Sequence, residues 1–105
     1  MTNLSYDMKV SVDKRVEKVL NKFSQSEKSK ITRVVLFFED RGFLLTENHL
    51  KKLTKTVWEL RAGNVRLLFG VINNQAVIVN AFKKQTQQTP ISEISLAEKR
   101  LTEYL

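Results

Sequence analysis

The sequence predicts an α+β fold: a mainly antiparallel sheet with an N-terminal helical hairpin on one face and a C-terminal helix. Three observations point there. Residues 57–84 alternate apolar and polar around two turn dipeptides, Gly63-Asn64 and Asn73-Asn74. Two stretches ahead of that segment place apolar residues at helical spacing. A third helical stretch follows it, opened by Thr89-Pro90. The order is β-α-α-β-β-β-α, in a single domain spanning residues 1–105.

The first strand is expected where Leu4, Tyr6, Met8 and Val10 alternate with Ser5, Asp7 and Lys9. Ser11 or Asp13 is suited to cap the helix that follows. Val12, Val16, Val19, Leu20 and Phe23 share one face of that helix, with charged residues on the rest of it. Ser24-Gln25-Ser26 breaks the pattern. A second helix is predicted from Glu27 or Ser29 to Arg41, with Gly42 as its C-terminal cap. Its stripe of Ile31, Val34, Val35 and Phe38 is widened by Leu36 and Phe37, which implies cover on a second side. Residues 43–56 link the helices to the sheet, with one helical turn at Thr46 and Glu47.

Placing the two dipeptides at turn centres fixes a register. Trp58 then faces Phe69, Leu60 faces Leu67, Arg61 faces Arg66, Phe69 faces Ile78 and Val71 faces Ala76. Because strand side chains alternate, Trp58, Leu60, Val65, Leu67, Phe69, Val71, Ala76, Ile78 and Phe82 form a core face. Glu59, Arg61, Arg66, Leu68, Val77, Val79, Ala81 and Lys83 form the other. In this register Ala81 sits opposite Arg66 and Lys83 lies one step beyond. In the last helix, Pro90 takes the first position, and Ile91, Ile94, Ala97 or Leu96, Leu101, Tyr104 and Leu105 give the stripe.

Composition narrows the function. The net charge is +7, and its distribution is uneven. Between Asn48 and Ser92 the basic residues are Lys51, Lys52, Lys55, Arg61, Arg66, Lys83 and Lys84, and the acid is Glu59. Seven cations less one anion leave +6 in that segment, nearly the whole excess. Such concentration is the footprint of a polyanion site; a surface charged only for solubility mixes its signs. The basic residues lie on strands and loops, not on one amphipathic helix, which argues against a membrane surface. No apolar run approaches the roughly 20 residues of a membrane span, and the N-terminus lacks a signal-peptide pattern, so a cytoplasmic location is expected. Without cysteine and with one histidine, thiolate and multi-histidine metal sites are excluded.

Like charges directly opposed across a hairpin repel, so the Arg61–Arg66 pair needs an explanation. Either an anion binds between them, or Glu59, next on the same face, screens a solvated pair. His49 reads as a surface or packing residue, and Tyr104 as a packing residue. No Gly-rich phosphate loop, HExxH, carboxylate pair or Ser-His-Asp set is present. An enzyme built here would have to use Lys, Arg and hydroxyls, and phosphoryl transfer from RNA fits that restriction, because the substrate's 2′-hydroxyl is the nucleophile. Arginine chelates phosphate in bidentate fashion, and a lysine crowded by other cations can serve as a general base. No metal or cofactor is required.

The elements Lys52-Leu53, Val57-Trp-Glu-Leu-Arg61, Arg66-Leu-Leu-Phe69, Phe82-Lys-Lys-Gln-Thr86, Thr89-Pro90, Glu93-Ile94, Ala97 and Arg100, in that order, resemble the HigB-type toxins of the RelE/ParE toxin–antitoxin superfamily. The resemblance covers residues 40–105 well and the β-α-α start in layout. It implies a ribosome-dependent endonuclease that cuts messenger RNA, inhibits translation and arrests growth. The implied partners are the ribosome with its messenger and a cognate antitoxin, HigA-like and of helix-turn-helix type. On this chain the implied catalytic set is Arg61, Arg66, Lys83 and Lys52. Lys51, Lys55, Lys84, Asn80 and Thr86 would contact RNA. Where some relatives carry histidine or tyrosine at the last strand, this chain has Asn80-Ala81-Phe82. Two alternatives stand beside this reading: a ParE-like inhibitor of DNA gyrase, and a module that binds nucleic acid without cutting it.

Overall fold

The computed structural model describes residues 8–105. Its elements are β1 (Lys9–Val12), α1 (Lys14–Leu20), α2 (Gln25–Arg41), a 3₁₀ turn (Gly42–Leu44), β2 (Leu50–Lys52), β3 (Trp58–Ala62), β4 (Val65–Ile72), β5 (Gln75–Lys83) and α3 (Ile91–Thr102). One five-stranded sheet has the order β1-β5-β4-β3-β2. β1 runs parallel to β5, and the other pairings are antiparallel.

The turn dipeptides set this sheet. Gly63 has φ 62°, and Asn73 and Asn74 have φ 51° and 65°. These are left-handed conformations that glycine adopts freely and asparagine tolerates. The expected pairs Trp58–Phe69, Leu60–Leu67, Arg61–Arg66, Phe69–Ile78 and Val71–Ala76 all form. Beyond Phe69 the register slips: Leu68 pairs with Asn80 while Phe69 pairs with Ile78, leaving Val79 as the extra residue of a β-bulge. Arg100 Nη1 donates to the Val79 carbonyl at 2.8 Å, giving an acceptor in the disturbed ladder its partner. A one-residue slip exchanges the two faces of a strand. Phe82, not Ala81, therefore opposes Arg66, and Lys83 pairs with Val65 on the opposite face from the arginines. The expectation that Lys83 lies beside them is corrected.

The sheet has a core on each face. On one, Val16 of α1 and Ile31, Val34 and Phe38 of α2 pack against Leu60, Leu67, Phe69, Ala76, Ile78 and Ala81. On the other, Ala97 and Leu101 of α3 pack against Val57, Leu68, Val77 and Val79, with Phe82 at the margin. The slip thus moves Phe82 to the α3 side and Ala81 to the hairpin side.

Local chemistry accounts for the helix ends. Asp13 caps α1 through its side chain, which accepts from the Arg15 amide. Ser24 and Glu27 form a reciprocal capping box that starts α2 at Gln25, earlier than periodicity indicates. Val12 ends β1 instead of opening the helix. Within the linking segment, Leu50–Lys52 adds an edge strand. Leu36 and Phe37 are 59% and 40% exposed, so among the described residues the widened stripe of α2 is only partly covered, with Phe37 against His49 and Arg41. Leu4 and Tyr6 lie outside the described residues.

Asp13 also ties the ends of the fold together. Its carboxylate, 5% exposed, accepts from Arg15 Nε and Nη2 at 2.9 and 2.8 Å and from the Tyr104 hydroxyl. Arg15 Nη2 reaches Glu103 at 2.8 Å. Tyr104, 37% exposed and outside both core clusters, is thus a hydrogen-bonding latch and not the packing residue its helical spacing indicates. The Arg15 contact, with a further bond from Tyr104, holds the Asp13 carboxyl far below the usual carboxylate range. Its contribution to stability is complete above the unfolded value near about 4 and is lost as pH falls through the lower folded value. Acid unfolding followed by circular dichroism should accordingly show a stability loss below about pH 4 that Asp13→Asn flattens.

Gly70 marks a close approach of α3 to the sheet. A Cβ there would stand 2.6 Å from Leu101 Cδ1 and 2.9 Å from the Thr56 carbonyl oxygen. The carbonyl belongs to backbone and does not yield as a side chain does. Gly70→Ala should cost about 1–3 kcal/mol in a urea denaturation experiment.

Candidate functional site

The face of β3 and β4 that looks toward α3 is apolar along most of its length and charged at one end. β3 places Glu59 and Arg61 two residues apart on that face, and pairing places Arg66 of β4 opposite Arg61 and Lys51 of β2 opposite Glu59. Glu59 is wholly buried. Its Oε1 lies 3.0 Å from Arg61 Nε and 4.0 Å from Arg66 Nε, and its Oε2 accepts from the Thr89 hydroxyl. Of the two explanations for the opposed arginines, a bridging carboxylate is thus present, but it is sunk beneath them.

The arginines are otherwise anchored by main chain. Arg66 Nη1 donates to the Gly63 and Val65 carbonyls at 2.7 and 3.1 Å. Arg61 Nη1 donates to the Glu47 carbonyl at 3.4 Å. Among the described residues neither Nη2 group has a protein acceptor within hydrogen-bond distance. Burial, joined by repulsion from Arg61, draws the Arg66 guanidinium below its ordinary value, and Glu59 acts the other way. A guanidinium still stays protonated at neutral pH. The site therefore holds two fixed cations and one anion, a net positive locus with free N–H groups. Such a locus suits a phosphate, which arginine engages through paired N–H groups.

Lys84 completes this end of the sheet. Its amide donates to the Asn64 carbonyl at 2.7 Å, extending the β5 pairing by one residue. Alternation puts its side chain with Phe82 on the arginine face. Lys84, Phe82, Thr86 and Thr89 surround Arg66, and residues 84–90 close over it to leave a cavity of about 10 Å³. Arg61 stands at the more open side of the pair, its side chain 28% exposed against 12% for Arg66.

The other expected site residues fall elsewhere. Lys83 pairs with Glu27 at 3.1 Å and lies over the Phe23 ring, on the hairpin side. Donation from the Ser24 amide, and then the Lys83 contact, hold the Glu27 carboxyl below its ordinary value. Lys52 pairs with Trp58, and its ammonium stands 5.4 Å from that ring, also away from the arginines. Lys55 borders a separate hollow near Gly70 and Leu105. Asn80 is 5% exposed and donates to the Glu93 carbonyl and Oε1 at 3.0 and 2.9 Å, which makes it a tie between the bulge and α3. Thr86 is exposed, and its hydroxyl donates to the Gln88 carbonyl at 2.8 Å. Sequence reasoning saw Glu59 as a screening charge and missed Thr89 as its second partner. The signal was available in part, since Glu59 is the lone acid of a 45-residue basic segment.

This fold is that of the RelE toxins. It matches a chain of the archaeal RelE–RelB complex from Pyrococcus horikoshii OT3 with a TM-score of 0.61 and 16% identity, covering 77% of this chain and 98% of that one. It also matches the isolated E. coli RelE toxin with a TM-score of 0.58 and 16% identity, covering 90% and 98%. No curated protein matches the sequence. Residues 18–102 match the model of the phage-derived Gp49-like protein family (DUF891), and the chain belongs to that family.

Glu59→Gln keeps the shape of the bridge and removes its charge. The variant should lose about 1–3 kcal/mol of stability. Thermal melts should also show a larger stabilisation by added phosphate than in the parent chain, because the anion replaces the missing charge.

Proposed function

We propose that this chain is the toxin of a toxin–antitoxin pair and acts as an endoribonuclease on ribosome-bound messenger RNA. The observation that carries the proposal is the Arg61–Arg66 pair, fixed from beneath by buried Glu59 at the charged end of a RelE-like sheet. The resemblance of the Trp-Glu-Leu-Arg and Phe-Lys-Lys-Gln-Thr elements to HigB-type toxins supports the HigB branch. A cognate antitoxin is supported by the fold's likeness to a RelE in complex with RelB.

The chemistry needs little beyond these cations. The free Nη2 groups of Arg61 and Arg66 receive the non-bridging oxygens of the scissile phosphate and stabilise the charge that builds there. The neighbouring 2′-hydroxyl attacks phosphorus, loses its proton, and leaves a cyclic phosphodiester as the 5′-oxygen departs with a proton. Lys51 and Lys84 flank the arginines on the same face and are the lysines placed to move those protons. Lys83 and Lys52, which the resemblance puts in the catalytic set, point to the opposite face from the arginines and are given no step here. Glu59 is a positioning residue: it orients Arg61 and is itself oriented by Thr89. Residues 84–90 cover Arg66, so engagement of the phosphate by Arg66 requires that loop to shift.

Expression of the wild type, with messenger ends mapped by primer extension, should reveal translation-dependent, codon-phased cuts. Arg61→Ala and Arg66→Ala should each reduce cutting by about 10²–10³-fold, the range typical of a lost transition-state donor. Lys84→Ala should reduce it more than Lys83→Ala. Absence of such cuts in the wild type would sink the reading, and equal effects of the two lysine variants would sink the assignment of faces.

A further inference from the structure

A second cationic hollow lies around the edge of the sheet from the arginine pair. It has a volume of about 380 Å³ and sits between α2 and the end of β3, walled by Lys30, Arg33, Phe37, His49, Arg61 and Gly63. Its size is within the ~300–1,000 Å³ range of small-ligand sites. No carboxylate lines it, and among the described residues neither Lys30 nor Arg33 lies in a salt bridge. Lys30 is laid across the Gly63 turn, so closely that a Cβ on Gly63 would stand 3.0 Å from Lys30 Cδ. Val34 and Ala62 add apolar lining to the rings. Phe37 and His49 meet edge to face at 5.9 Å and 83°, and Phe37 remains 40% exposed.

We propose that this hollow is a nucleotide subsite, taking the base and sugar of a nucleotide flanking the scissile phosphate. A flat apolar ring finds the Phe37–His49 wall, and its phosphate finds Lys30 and Arg33. An aromatic surface beside a cationic groove is how single strands are held, because every base offers a π-face and every link a negative charge. Arg61 joins the two places. Its Nε is held by Glu59 in the phosphate site, while its side chain also lines the hollow. One arginine at a shared wall puts the two places next to each other, as neighbouring nucleotides of one strand require. The inference rests on the endoribonuclease reading for the identity of the strand, but not for its test.

The test is nuclear magnetic resonance of the full chain titrated with adenosine, guanosine, cytidine and uridine 5′-monophosphates, with inorganic phosphate as control. The nucleotides should shift the Phe37 and His49 ring protons saturably, and inorganic phosphate should leave those rings unmoved. Phe37→Leu, at an exposed position that tolerates the change, and Lys30→Ala/Arg33→Ala should each weaken nucleotide affinity at least about fivefold. In cells the same variants should alter which nucleotides flank the cuts. Rings unmoved by all four nucleotides, or affinities unchanged in both variants, would overturn the subsite. Nucleotide binding here in a chain that cuts no messenger would leave the subsite standing and remove the nuclease reading. Cuts without any ring shift would do the reverse.

Discussion

The charged end of this sheet depends on a carboxylate that water does not reach. Glu59 stands on a central strand, wholly buried, with Lys51, Arg61 and Arg66 around it and the Thr89 hydroxyl on its far oxygen. A buried charge without partners is prohibitively costly, whereas one with close partners is tolerated and fixes their positions. Each arginine keeps main-chain acceptors as well, so neither is free to swing. Two guanidinium groups that would repel on a bare hairpin become a rigid, net positive clamp. The contact with Thr89 also anchors the segment leading into α3, so the sheet, the loop and the last helix meet at one carboxylate.

The β-bulge at Val79 is the second determinant. Without it, Ala81 and Lys83 would share the arginine face. With it, Phe82 and Lys84 take those places, and Lys83 is released to pair with Glu27 and to cover Phe23 on the hairpin side. Its irregular backbone is supported from α3: Arg100 takes the Val79 carbonyl, and Asn80 is tied to Glu93. The helix that builds the second core therefore also stabilises the slip that arranges the charged end of the sheet.

Cations on this chain serve different ends according to their neighbours. Arg15 and Arg100 are structural, committed to Asp13 with Glu103 and to the bulge carbonyl. Lys83 is likewise spent on a carboxylate and a ring. Arg61, Arg66 and Lys84 converge at one end of the α3 face, and Lys30 and Arg33 wall the adjoining hollow without acidic partners there. Net charge alone does not separate these groups; pairing does.

Much of the fold was legible because it rests on local chemistry. The hairpin dipeptides fix the register through positive φ, the capping residues start the helices, and alternation separates two faces, so the opposed arginines follow from residues 58–69 alone. The resemblance of ordered motifs reached the same fold. The short strand Leu50–Lys52 and the parallel pairing of β1 were not legible, since three residues carry too little pattern and pairing direction depends on the whole chain. Asn80 read as a polar contact residue because its partner, Glu93, lies on another element. By itself the sequence determined the helices, the three long strands, the basic segment and its lone acid. Tertiary structure alone decided which lysine stands beside the arginines and how deep Glu59 lies. A single-residue bulge inverts a strand's faces without a local signature in composition, and burial is a property of what packs above a residue.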